Sequence, residues 1–168
     1  MNGKMLVLSA VVVCSVSSFL YAKEPAKTPE QAIPIAVPVP SQKDIARIDR
    51  MTTLVADYGT LSVMIGNQQR VMSDSKELFN EKSIPAEDCI KMAQSVNTVN
   101  AVLLKRSASI KDASLRSQVA EYINDLISGN NAYIKYYKGD IQARSEAEKF
   151  WQQADSCNGK IQKYIQGE

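Results

Sequence analysis

From Ser41 to the C-terminus, apolar residues recur three and four positions apart, and no segment alternates with a period of two for long enough to make a strand. In the first run Ile45, Ile48, Met51, Val55, Tyr58, Ile65 and Met72 keep this spacing, behind Ser41 or Asp44 as an N-cap. A helix is therefore predicted from Gln42 to Asn80. Ser83-Ile84-Pro85 interrupts it. Proline suits the first turn of a second helix, where its missing N–H is no loss, and Glu87 and Asp88 suit that helix's positive end. Cys89, Met92, Val96, Val99, Leu103 and Ile110 continue the apolar stripe.

Between Ala86 and Ser128 there is neither Gly nor Pro, so either one long helix runs through or a break falls at Ser109 to Asp112. The break is favoured. The apolar register shifts there, from Leu103 and Ile110 to Leu115, Val119, Tyr122, Ile123, Leu126 and Ile127, and Ser109 and Asp112 can both cap. The third helix runs on to Lys138 despite Gly129, and Gly139-Asp140 supplies a glycine stop followed by a capping acid. Ile141, Ala147, Phe150, Trp151, Ala154, Ile161, Tyr164 and Ile165 mark the fourth. The expected fold over residues 41–168 is all-α, an elongated antiparallel bundle of four helices, with three long helices as the alternative.

The N-terminal region follows different rules. Lys4 precedes an unbroken run of apolar and small residues from Met5 to Ala22, the pattern of an export signal cleaved after Ala22 to leave Lys23 as the new N-terminus. Two alternatives are a retained anchor, since the 17 residues from Leu6 to Ala22 approach the roughly 20 that span a bilayer, and lipidation at Cys14. Val11-Val12-Val13 opposes the latter. Residues 1–22 are thus expected to be a signal peptide, and the protein periplasmic or secreted, or else anchored to the membrane by an uncleaved signal. Residues 23–40 carry five of the six prolines, among them Pro34, Pro38 and Pro40. Proline removes backbone donors and holds its predecessor extended, so this stretch reads as a stiff linker, either a tail or a spacer near a membrane.

Composition narrows the chemistry. The chain has no histidine, which excludes Ser-His-Asp and Cys-His hydrolysis, the two-histidine zinc helix and c-type haem attachment. A net charge of +2, from 20 basic and 18 acidic residues, offers no field suited to nucleic acid. Acids such as Glu121 and Asp125, or Glu146 and Glu148, fall at helical spacing and read as solvated faces rather than a carboxylate active site. No catalytic residue, metal ligand or cofactor is predicted, and the protein is read as a non-enzyme.

Three features remain as candidate sites. In an oxidising compartment Cys89 and Cys157 are expected to form an internal disulfide contributing roughly 2 to 4 kcal/mol. Helix register opposes this, because in the four-helix arrangement the two lie about thirteen residues, or about 20 Å, apart along the bundle axis, whereas a bridge requires α-carbons within about 7 Å. A bond between chains is the alternative. Tyr133, Tyr136 and Tyr137, with Asn130, Asn131 and Trp151, form the one local composition that resembles a binding surface, although Tyr133 and Tyr137 also fall on the core stripe. Gly59, Ser62 and Gly66 share a helix face that suits either close packing within the fold or an interface with another chain, including a homodimer. The function expected from these features is contact with another protein or with the cell envelope. A small-ligand sensor or carrier, with a pocket between helices ringed by Tyr133, Tyr137 and Trp151, is the alternative.

Overall fold

The computed structural model describes residues 41–168, so the expected signal peptide (1–22) and proline-rich linker (23–40) lie outside the described residues. Four helices follow one another: α1 (Gln42–Asn80), α2 (Ala86–Ser107), α3 (Ala113–Tyr137) and α4 (Ala143–Gln166), with no strand among the described residues. The break after α2 selects four helices over three. Each connection is five residues long, too short for anything but antiparallel neighbours. Contacts down the bundle follow that order: Cys89 meets Ser75, Asn97 meets Asn130 and Asn131, and Asp125 meets Cys157.

The helix ends are set by local chemistry. Ser41 caps α1 through a reciprocal box, its hydroxyl accepting from the Asp44 N–H while the Asp44 carboxylate accepts from the Ser41 N–H. Donation by Ser41 holds the Asp44 carboxyl below its ordinary range. Lys82 takes a φ of 57° after α1, the left-handed turn that glycine usually supplies, and the Ser83 N–H returns to the Leu78 carbonyl. Pro85 is the N-cap of α2 rather than part of its first turn. Asp112 caps α3, accepting from the Leu115 N–H at 2.8 Å. Gly139 turns the chain at φ 104°, but α4 starts at Ala143, because Asp140 first accepts from the Gln142 and Ala143 N–H groups in a separate turn. Ile141, expected on the apolar stripe of α4, therefore lies in the connection and is 80% exposed.

The core has two parts. Leu54, Tyr58, Leu61 and Ile65 of α1 pack with Leu103 of α2, with Leu115 to Leu126 of α3 and with Ala154, Cys157, Ile161 and Ile165 of α4. Nearer the α1–α2 turn, Met72, Cys89, Ala93, Val96, Ala132, Tyr133, Tyr137 and Ala147 form a second cluster. Gly129, inside α3, makes the close approach of α3 and α4 possible: a Cβ there would lie 2.5 Å from Trp151 Cδ1.

One part of the predicted stripe is not core. Ile45, Ile48 and Val55 are 46%, 56% and 53% exposed, and Leu54 and Leu61 occupy the buried positions instead. Helix α1 is apolar on two faces, and the bundle covers the one in phase with Leu54, Tyr58, Leu61, Ile65 and Met72. With 22 residues against 39 in α1, α2 stops short of the start of α1, and the connection that follows it meets α1 where the Lys111 N–H donates to Asp57. The first third of α1 has no α2 beside it. Its inner side is held by the end of α4, where Arg47 donates to the Gln166 carbonyl at 3.0 Å and Arg50 lies 4.9 Å over the Tyr164 ring.

Candidate functional site

The aromatic residues singled out in α3 meet others from α1 and α4. Tyr133 stacks on Tyr137 at 6.0 Å and meets Trp151 edge-on at 6.4 Å, while Phe79 of α1 lies 4.8 Å from Tyr137 and 5.5 Å from Tyr136. Lys76 of α1 places its ammonium 3.8 Å over Trp151 and 5.0 Å from the Tyr133 ring. Burial pushes the Lys76 pKa down, opposed by the nearby charges of Asp155 and Glu148. Arg144 sits 5.8 Å over Tyr136 and is also paired with Glu148. Nothing local in the sequence pointed to Lys76, Phe79 or Arg144, which reach the cluster only through helix pairing.

This cluster is packed rather than hollow. Tyr133 and Tyr137 are buried and Tyr136 and Trp151 half-buried, and burial raises the Tyr137 pKa to about 12. The space bounded by Lys76, Phe79, Tyr133, Tyr136, Tyr137 and Arg144 is about 30 Å³, the room of a single water molecule. A larger hollow of about 550 Å³ opens on the outside of the α1–α2 turn, among Phe79, Lys82, Ile84, Pro85 and Tyr136. The two asparagines do not join it. Asn130 donates to Asn97 at 3.0 Å, and Asn97 donates to Asn131 at 2.8 Å, a clasp that ties α3 to α2.

Cys89 and Cys157 are both free thiols, and the expected internal bridge is not made. Cys89 lies in the cluster near the α1–α2 turn with its Sγ 3.8 Å from the Ser75 carbonyl; Cys157 lies in the other, with its Sγ 3.8 Å from the Asp125 carboxylate. The axial offset between regular helices keeps them apart, since α4 runs unbroken through Gly159. Both are buried.

Around Cys157, Glu121 and Asp125 bring one ligand atom each to within 4.8 Å of one another and of the thiol. They open on a hollow of about 250 Å³ shared with Gln153, Ser156 and Lys160. Burial, then the charges of Glu121 and Asp125, push the Cys157 thiol up, and burial likewise raises Asp125. A cation would have to displace the Cys157 thiol proton to bind.

Of the small residues of α1, Gly66 is exposed, and Gly59 and Ser62 are half-buried. A Cβ at Gly59 or Gly66 would meet no atom within 4 Å, so close packing inside the fold does not account for them. They continue the line of Ile45, Ile48 and Val55 along α1, and Val63 beside them is 65% exposed. The polar groups on this line are already satisfied: the Thr52 hydroxyl donates to the Ile48 carbonyl and the Ser62 hydroxyl to the Gly59 carbonyl. The result is a second, uncovered apolar face on the longest helix. No family model, curated protein or solved structure matches the chain.

Proposed function

We infer that this is an exported, non-enzymatic helical protein that works by contact with another protein at the cell envelope, through the outer face of α1. The observation that supports this reading is that α1 carries two apolar faces and the bundle covers one. A helix apolar on both sides is ordinarily buried on both, and exposed apolar surface rimmed by polar residues is the usual mark of a docking surface. The carrier alternative has less support, because the space among Tyr133, Tyr136 and Tyr137 is about 30 Å³, whereas pockets for small ligands run to about 300 Å³ and above.

Export rests on the Lys4 to Ala22 pattern; no helix among the described residues is long and apolar enough to cross a membrane. N-terminal sequencing of the protein from its native source should read from Lys23, and a start at Met1 in membrane fractions would replace cleavage with anchoring. The contact reading is tested by a photo-crosslinking residue at Val55 in intact cells. A covalent adduct with a polypeptide at Val55, and none from a probe at the buried Ile65, is the expected result. Absence of any adduct at Val55 refutes it.

A further inference from the structure

We propose that Cys157, as its thiolate, and the carboxylates of Glu121 and Asp125 bind one divalent cation of the zinc class, fastening α3 to α4. Glu121 and Asp125 stand about one turn apart on α3 and so share a face. Helix α4 runs antiparallel beside it and brings Cys157 level with Asp125. One ligand atom from each of the three lies within 4.8 Å of the other two. Bonds of about 2.3 Å to sulfur and about 2.0 to 2.2 Å to oxygen set tetrahedral ligand atoms roughly 3.5 Å apart, so small side-chain rotations close the set. Helical bundles build metal centres in this way, from side chains on facing helices.

The buried thiol separates this arrangement from an ordinary acidic helix face. Cys157 is only 5% exposed, yet it borders the hollow of about 250 Å³, and its Sγ makes no hydrogen bond outside the triad. Neither carboxylate forms an ion pair among the described residues, and Lys160, at the rim of the hollow, pairs with neither. Three acidic groups therefore converge with no cation set against them, an arrangement that costs free energy unless a positive charge or bound protons compensate. The hollow also has room for the ion and for a water in its fourth position, with Gln153 and Ser156 on its wall.

The donor set selects the ion. Magnesium and calcium take oxygen ligands and gain nothing from a thiolate, whereas copper(I) favours sets made of sulfur alone. One sulfur with two carboxylates suits zinc and ions like it. On binding, the Cys157 S–H bond breaks, the sulfur–metal bond forms and the proton passes to solvent. The thiolate and two carboxylates then set three negative charges against the two positive charges of the ion, and no oxidant or reductant takes part. Because its ligands come from both α3 and α4, the bound ion holds those helices together, and the loaded protein is more stable than the free one. Neither the site nor its test involves the contact face of α1.

Cobalt(II) titrated into the purified, reduced full chain reports the ligands directly, since a bound thiolate gives a near-ultraviolet charge-transfer band and four-coordinate cobalt gives intense visible bands. Both should appear, saturate at one ion per chain and disappear when zinc is added. Cys157→Ser should lose the charge-transfer band, and Cys89→Ser, altered in the cluster near the α1–α2 turn, should keep it. Zinc should raise the melting temperature of the parent and leave that of Cys157→Ser unchanged. Glu121→Gln is the second variant, at an exposed position where the substitution spares the fold; it should weaken cobalt binding by about tenfold or more. Absence of the charge-transfer band in the parent overturns the proposal. So does a band of parental strength in Cys157→Ser, or parental affinity in Glu121→Gln.

Discussion

Replacing Gly129 with alanine adds one methyl group at the closest approach of α3 and α4. Its Cβ would lie 2.5 Å from Trp151 Cδ1, 2.8 Å from Trp151 Nε1 and 3.3 Å from Phe150 Cβ. The indole cannot easily retreat, because Tyr133 lies edge-on at 6.4 Å and the Lys76 ammonium covers it at 3.8 Å. Two effects compete. Alanine is about 1 kcal/mol better than glycine inside a helix, whereas forcing a methylene into a filled core costs about 1 to 3 kcal/mol. Contacts this short call for the upper end of that cost, so the net loss should be about 2 kcal/mol, on the order of 8 °C in Tm for a domain of this size. Gly66→Ala is the matched control: with no atom within 4 Å of the new Cβ, only the helix term acts, and stability should rise by up to about 1 kcal/mol. Thermal and urea unfolding followed by circular dichroism, on dilute protein, would measure both. Trp151 is the only tryptophan, so its fluorescence should change in Gly129→Ala and stay constant in Gly66→Ala. A Gly129→Ala variant as stable as the parent, with unchanged tryptophan emission, would refute the packing of α3 on α4 described above.

Three further outcomes are expected. Ile123→Asp, at a fully buried position, should cost about 4 kcal/mol or more and unfold the domain; a variant with parental helix content and melting temperature would show that this face is not core. Both thiols should resist an aqueous thiol reagent in the folded protein, react on unfolding and leave non-reducing electrophoretic mobility unchanged by reductant, so a mobility shift on reduction would mean that a bridge forms after all. Burial raises Tyr58 and Tyr137 to about 12, against about 10 in an unfolded chain. Their contribution is complete below pH 10 and is lost as pH rises through 12. Circular dichroism with absorbance at 295 nm should show helix loss accompanying late tyrosine ionisation, and a single step near pH 10 with the helices intact would contradict their burial.

Local chemistry settles most of the helical architecture without any tertiary contact. The capping pair Ser41 and Asp44, the register shift before Leu115, the capping acid Asp112 and the left-handed turn at Gly139 act within a few residues of the chain, so the sequence pattern locates them. The same holds for the stripe from Leu115 to Leu126, since α3 has partners on either side and buries its one continuous apolar face.

Other features depend on what lies beside a residue rather than on its neighbours in sequence. Helix α1 has two apolar faces, and periodicity alone does not choose between them; the choice followed from the face on which the other helices pack, that of Leu54, Tyr58, Leu61 and Ile65, which leaves Ile45, Ile48 and Val55 uncovered. The fate of Cys89 and Cys157 was an axial distance, set by where α2 and α4 start and by the continuity of α4 through Gly159. Gly129 interrupts a helix in sequence, and only Trp151, lying against it from α4, requires a glycine there. Lys76, Phe79 and Arg144 joined the tyrosines of α3 from α1 and α4. Helix formation is decided by bonds and side chains within one or two turns, whereas which face is buried, and which distant groups meet, is decided by the lengths and offsets of whole helices packed side by side.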